Sequence, residues 1–206
     1  MNSLFSFLPS SIEHSAFLTS TLAVFVAEIG DKTQLLSLLL ATRFHNKKAI
    51  VAGILLATIL NHLASAWLGV WLGESMQQWI NGEVIPWLLA AAFLAMAIWI
   101  LVPDKEDDSV DTHQAWGAFL ATTALFFLAE IGDKTQIATV LLAAEFQSVW
   151  WVTLGTTLGM LLANVPVVYY GQKLMQRMPL HLARYITSLI FLGLALSIVI
   201  GHLWGG

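Results

Sequence analysis

The sequence predicts an all-α integral membrane protein, six transmembrane helices arranged as two inverted three-helix repeats. Three observations carry that reading. Hydrophobic residues make up 58% of the 206-residue chain and charged residues only 11%, a balance that soluble domains do not have. The stretch Ala27-Glu28-Ile29-Gly30-Asp31-Lys32-Thr33-Gln34 recurs as Ala129-Glu130-Ile131-Gly132-Asp133-Lys134-Thr135-Gln136, all eight residues identical and 102 positions apart. The Lys and Arg residues outside these two stretches fall into alternate loops only, the pattern that sets orientation in a bilayer.

In chain order, residues 1–13 form a short interfacial segment with Phe5, Phe7 and Pro9. Residues 1–15 hold no Lys or Arg, so the basic start of a cleaved signal peptide is missing and the first apolar run is expected to be retained as a helix. That run covers residues 16–42, ~40 Å of helix against a hydrocarbon core of ~30 Å, so tilt or a break is expected, with Gly30 the natural break point. A basic turn at residues 43–48 leads to a second span at 49–72, a polar connection at 73–83 and a third span at 84–102. Residues 103–114 are the most polar segment, an acidic linker that does not fit a calcium-binding EF-hand loop. Further spans are expected at 115–144, 149–170 and 185–204.

The second half repeats the first without insertion. Phe44 maps on Phe146, Gly53 on Gly155, Gly69 on Gly171 and His62 on Asn164, so residues 1–102 and 115–206 are read as one ancestral three-helix unit duplicated. Three spans per unit is an odd number, which inverts the second unit relative to the first. The charges agree: Arg43, Lys47 and Lys48 follow the first span of one half, whereas Lys173, Arg177 and Arg184 follow the second span of the other. With Lys105 in the linker, the positive-inside rule places the linker in the cytoplasm and both termini outside. The nine tryptophans fall near the expected span ends and read as an aromatic belt. Inverted repeats are the architecture of many secondary transporters.

The doubled motif is where chemistry is expected. Ionised groups at a helix centre cost ~2.5 to 3.5 kcal/mol each, so Glu28, Asp31, Lys32 and their copies need a task that offsets the cost. On a continuous helix Glu28 and Asp31 share a face. A two-fold axis in the membrane plane then brings Glu28, Asp31, Glu130 and Asp133 together, with oxygens of Thr33, Gln34, Thr135 and Gln136 in reach. An oxygen cage of this kind suits calcium or manganese. Four carboxylates and the two ammonium groups of Lys32 and Lys134 leave a charge of −2, which one divalent cation neutralises. When the cation leaves, crowded carboxylates in low dielectric take up protons, and competition for one site is the core of proton-coupled antiport.

The structural alternative makes Glu28–Lys32 and Glu130–Lys134 internal ion pairs holding the bundle together, but it leaves Asp31 and Asp133 without a role. Lys32 and Lys134 are read as charge-balancing or gating groups. A lone His in an apolar helix more often makes an interhelical hydrogen bond; if His62 reached the ion it would favour manganese. Asn61 and Asn164 are read as helix–helix hydrogen-bonding residues, and Gly155, Gly159, Thr153, Thr156 and Thr157 as close-packing positions. No cysteine is present, which removes thiolate metal sites and nucleophiles. The paired motifs of intramembrane aspartyl and serine proteases are absent too. No enzyme activity is expected, and the small net charge gives no sign of nucleic-acid binding.

The doubled E-x-G-D-[K/R]-T element resembles the signature of a family of small cation/proton antiporters. That family comprises the Golgi calcium/manganese–proton antiporters of eukaryotes and the manganese exporters of bacteria. Both copies fit, at Glu28, Gly30, Asp31, Lys32, Thr33 and at Glu130, Gly132, Asp133, Lys134, Thr135. The resemblance implies export of a divalent cation in exchange for protons, with manganese as cargo. It implies no permanently bound cofactor and a place in a bacterial inner membrane. The competing reading of the same acids is a six-span exporter of small organic cations such as basic amino acids; a non-transporting scaffold would leave the buried charges unused.

Overall fold

The computed structural model describes residues 11–102, 117–171 and 180–204. The described residues form eight helices and no strand: α1 (Ser11–Ala27), α2 (Lys32–Arg43), α3 (Lys47–Trp79), α4 (Ile85–Ile100), α5 (Gly117–Glu130), α6 (Lys134–Phe146), α7 (Val149–Tyr170) and α8 (Leu180–Trp204). The acidic segment 103–114, Trp116, Lys105, Lys173 and Arg177 lie outside the described residues. Among the described residues, three helices are long and apolar enough to cross a membrane: α3, α7 and, in α8, Leu182–Trp204.

Each copy of the motif breaks a helix. α1 stops at Ala27, Gly30 turns the chain with φ 81°, and Asp31 opens α2 as its N-cap. The second copy does the same: α5 ends at Glu130, Gly132 has φ 74°, and Asp133 opens α6. Asp31 and Asp133 adopt the same backbone angles, φ −80° and ψ 165°. A positive φ is the conformation glycine reaches without a Cβ clash, and a side-chain acceptor at the N-cap suits the exposed amides of a new helix. The expected polar connection at 73–83 is shorter than the sequence suggested, because α3 continues to Trp79. Glu74, Gln77 and Gln78 are polar yet compatible with helix, so polarity alone did not mark its end.

The long helices then pack along the broken ones. Gly155 of α7 sits against the Phe17 carbonyl and Ser20 of α1, and Gly159 against the Thr21 carbonyl, so α7 runs parallel to α1. Gly53 of α3 sits against the Phe119 carbonyl and Thr122 of α5, and Gly69 against Val140 and Ala143 of α6. α3 is thus parallel to both α5 and α6. Lys47 Nζ at the start of α3 donates to the Tyr169 carbonyl at the end of α7, 3.2 Å, which puts those two ends at one end of the bundle. α4 packs on α8, with the Phe93 and Phe191 rings 5.9 Å apart.

Two apolar clusters flank a polar layer. On α3, Ala57 belongs to one cluster and Ala66 to the other, with Asn61, His62 and Ser65 buried between them. On α7, Val152 and Val168 bracket Asn164 in the same way. Outward faces carry exposed Leu, Ile and Trp, Trp67, Trp71, Trp150 and Trp204 among them, an apolar surface far beyond what a water-soluble monomer presents.

Candidate functional site: a buried carboxylate cluster

The polar layer is built where the two helix breaks meet the two long helices. Glu28 and Glu130 are fully buried, and Asp133 nearly so. Carboxylate oxygens of Glu28, Glu130 and Asp133 lie within 4.8 Å of one another. These three come from both copies of the motif, although Glu28 and Glu130 are 102 positions apart in sequence.

The geometry differs from the sequence expectation in three respects. Glu28 and Asp31 do not share a helix face, because the helix ends between them and Asp31 belongs to the next one. Secondly, the cluster holds Glu28, Glu130 and Asp133 and not Asp31, an asymmetry between the two copies, since Asp31 and Asp133 share the same backbone angles. Asp31 stands at the head of α2, with Oδ2 accepting from Thr33 N at 3.4 Å. Thirdly, the amide oxygens of Gln34 and Gln136 are engaged locally: they accept from Gly30 N at 2.8 Å and Gly132 N at 2.6 Å and so brace the two breaks. The Gln34 amide also donates to the Ala163 carbonyl, 2.9 Å, tying α2 to α7.

The threonines act on the glutamates. Thr33 Oγ1 donates to Glu28 Oε2 at 2.5 Å, and Thr135 Oγ1 to Glu130 Oε2 at 3.2 Å. Each glutamate therefore keeps one oxygen, Oε1, without a hydrogen-bond partner among the described residues. A buried acceptor left open costs ~1 to 3 kcal/mol, a cost that a cation held there would remove.

The lysines part company. Lys32 crosses to the other copy of the motif, with Nζ 3.1 Å from Asp133 Oδ1, instead of pairing with Glu28 one turn back. Lys134 Nζ donates to the Val102 carbonyl at 2.6 Å, just beyond the C-terminal end of α4, where backbone carbonyls lack helical partners. A cleft lined by Asp31, Asp133, Lys134, Thr135, Ile100 and Arg184 adjoins the cluster. The N-terminal ends of α2 and α6 carry Asp31 and Asp133, and the partial positive charge of a helix N-terminus favours carboxylates there.

The long helices supply one polar residue to each glutamate. Asn164 Nδ2 is 3.4 Å from Glu28 Oε2, and His62 Nε2 is 3.8 Å from Glu130 Oε2. Asn164 fits its expected hydrogen-bonding role, as does Asn61, which donates to the Phe127 carbonyl at 3.1 Å. His62 does not: neither ring nitrogen makes a hydrogen bond among the described residues. Sequence reasoning missed Ser37, whose hydroxyl donates to Asn164 Oδ1 at 2.8 Å. Its only signal is its place one helical turn beyond Thr33 on the same buried face.

Three buried carboxylates with an ammonium group alongside fit the binding of a small cation. The family profile described as "Divalent cation/proton antiporter GDT1" matches residues 16–108 and 118–205. The chain belongs to the GDT1 family of divalent cation/proton antiporters. A Vibrio cholerae protein provisionally named a manganese exporter is 49% identical over 194 residues, covering 92% of this chain and 94% of that protein. GDT1-like protein sll0615 of Synechocystis is 29% identical over 86% of this chain and 93% of its own length, and GDT1-like protein 4 of Oryza sativa subsp. indica 29% over 88% and 72%. No solved structure matches the chain. The GDT1 family is one of transporters and not of enzymes, and its substrates are divalent cations and protons.

Proposed function

We propose that this chain exports manganese, with calcium as a second possible cargo, in exchange for protons, and that Glu28, Glu130 and Asp133 hold the cation while Asp31 lines its approach. The observation that carries the reading is the meeting of three buried carboxylates from two copies of one motif within 4.8 Å. Three carboxylates and the Lys32 ammonium leave a charge of −2, so one divalent cation or two protons neutralise the same group. The manganese assignment is supported by the name of the Vibrio cholerae relative. An exporter of organic cations is disfavoured by charge: the Lys32 ammonium already stands beside Asp133 at the cluster and repels a second amine.

The same reading takes the chain as six spans in two inverted repeats, residues 1–102 and 115–206 joined by an acidic cytoplasmic linker, with both termini outside a bacterial inner membrane. Exchanged packing supports it: the contacts of Gly155 with Phe17 and Ser20 recur, shifted by 102, as those of Gly53 with Phe119 and Thr122. Inversion is supported by direction, since α3 runs parallel to α5 and α7 parallel to α1. The cleft beside Asp31 and Asp133 reaches Ile100 and Arg184, ends that the basic loops assign to the cytoplasm, which suits loading from within.

The test is uptake of manganese and of calcium into proteoliposomes of the purified protein, with and without a pH gradient. Gradient-driven manganese flux supports the proposal. Flux of basic amino acids without metal flux overturns it.

A further inference from the structure

We infer that His62 is a direct nitrogen ligand of the transported ion and the residue that makes the site prefer a transition metal over calcium, an inference that rests on the cation site proposed above. The two halves of the polar layer are not equivalent. Asn164 on α7 faces Glu28, but its groups are taken: Oδ1 accepts from Ser37, and Nδ2 points to Glu28 and to the Met160 carbonyl at 3.2 Å. His62 stands at the matching place on α3 and faces Glu130, fully buried, with both nitrogens lacking hydrogen-bond partners among the described residues. An imidazole enclosed in this way without partners costs ~1 to 3 kcal/mol for each open nitrogen.

The spacing fits shared coordination better than a hydrogen bond. His62 Nε2 and Glu130 Oε2 are 3.8 Å apart, too far for a hydrogen bond. Two ligands each ~2.1 to 2.5 Å from one ion at that separation subtend about 100° to 130° there, wider than the ~90° of neighbouring octahedral ligands and near tetrahedral and five-coordinate angles, so an ion bridges the pair with little adjustment. Glu130 Oε1 and Glu28 Oε1 are open as well. The imidazole faces Glu130 and stands outside the 4.8 Å group of the three carboxylates, so His62 joins their shell by a small inward movement as the ion is bound. A neutral imidazole carries a lone pair that an amide nitrogen lacks. Calcium takes oxygen ligands, whereas a nitrogen in the set shifts preference toward first-row transition ions.

The experiment uses the full chain in lipid nanodiscs loaded with manganese. Pulsed electron paramagnetic resonance should show nitrogen modulation on the bound ion, changing isotope pattern when the histidines carry ¹⁵N. His62→Asn, which installs the residue present at position 164, should remove the modulation and lower the manganese-to-calcium flux ratio in proteoliposomes by about tenfold or more. The wild-type spectrum needs no variant, so a misfolded H62N does not cloud the result. Bound, transported manganese without nitrogen modulation overturns His62 ligation and leaves the antiport proposal standing. Modulation that survives in H62N overturns it too. A wild-type protein that moves neither metal overturns both.

Discussion

Lys32 of one motif holds Asp133 of the other, Nζ to Oδ1 at 3.1 Å, so the two helix breaks are joined by an ion pair through the site itself. The Lys32 side chain is 35% exposed and Asp133 5%, so the pair gives a countercharge to a buried carboxylate. It also sets the charge of the cluster. Lys32→Gln should make the cluster more negative, tighten manganese binding several-fold and slow release, cutting turnover about tenfold. Binding calorimetry beside proteoliposome flux checks this; unchanged affinity and turnover would remove Lys32 from the mechanism.

Glu28→Gln and Glu130→Gln should each abolish export, by about a hundredfold or more, while leaving the protein folded and inserted. Each swap is nearly isosteric and removes one of the charges proposed to hold the ion. Thr33 and Thr135 can still donate to the amide oxygen. Circular dichroism and the thermal midpoint should match the wild type. Full export by either variant would exclude that residue from the site.

The doubled motif could be recognised in the sequence because charge inside an apolar run is costly and because it occurs twice. Where the chain bends could be read from Gly30. How the bend re-aims side chains could not: helical spacing puts Glu28 and Asp31 on one face, and the positive φ at Gly30 and Gly132 breaks that register. Nothing local indicates that Lys32 reaches Asp133, a contact between elements about a hundred residues apart. The facing of His62 to Glu130 and Asn164 to Glu28 was implicit in the repeat, since both pairs shift by 102. It emerged only when α3 packed along α5 and α7 along α1. Ser37 had no signal beyond its helical position.

Close helix crossings should matter more than their small residues suggest. A Cβ on Gly53 would lie 2.7 Å from Thr122 Cβ and 2.8 Å from the Phe119 carbonyl oxygen. Gly53→Ala should therefore push α3 off α5 and cost about 1 to 3 kcal/mol. Gly193 on α8 has nothing within 4 Å, and Gly193→Ala should be neutral or stabilising by up to ~1 kcal/mol. Thermal unfolding in detergent compares the two; equal midpoints would refute the packing argument.

Orientation has a direct test. All seven Lys and Arg outside the motifs lie at or beside the connections α2–α3, α4–α5 and α7–α8, in the connecting segments or the adjoining helix ends, and none lies near the others. A reporter fused after Gly206 should face outside, and one inserted at residues 104–111 should face the cytoplasm. A cytoplasmic C-terminus would overturn the orientation and the inverted repeat with it.

In the proposed mechanism, coupling follows from sharing the carboxylates. In the proposed exchange the cluster sheds two protons for a divalent ion to enter and takes up two when the ion leaves, since crowded carboxylates in low dielectric disfavour unbalanced charge. Loading from a near-neutral cytoplasm and release into a more acidic exterior turn that competition into export. Two protons per ion keep the cluster at one charge in both states, and constancy matters because net charge moved through low dielectric is expensive. The sign is fixed: acidifying the loading side should suppress flux and acidifying the release side should accelerate it. Exchange at this ratio is electroneutral, so a pH gradient alone should drive manganese flux in proteoliposomes and a potassium-diffusion voltage alone should not. Flux that follows the voltage and ignores the pH gradient would exclude a shared site and leave a channel or uniporter as the mechanism.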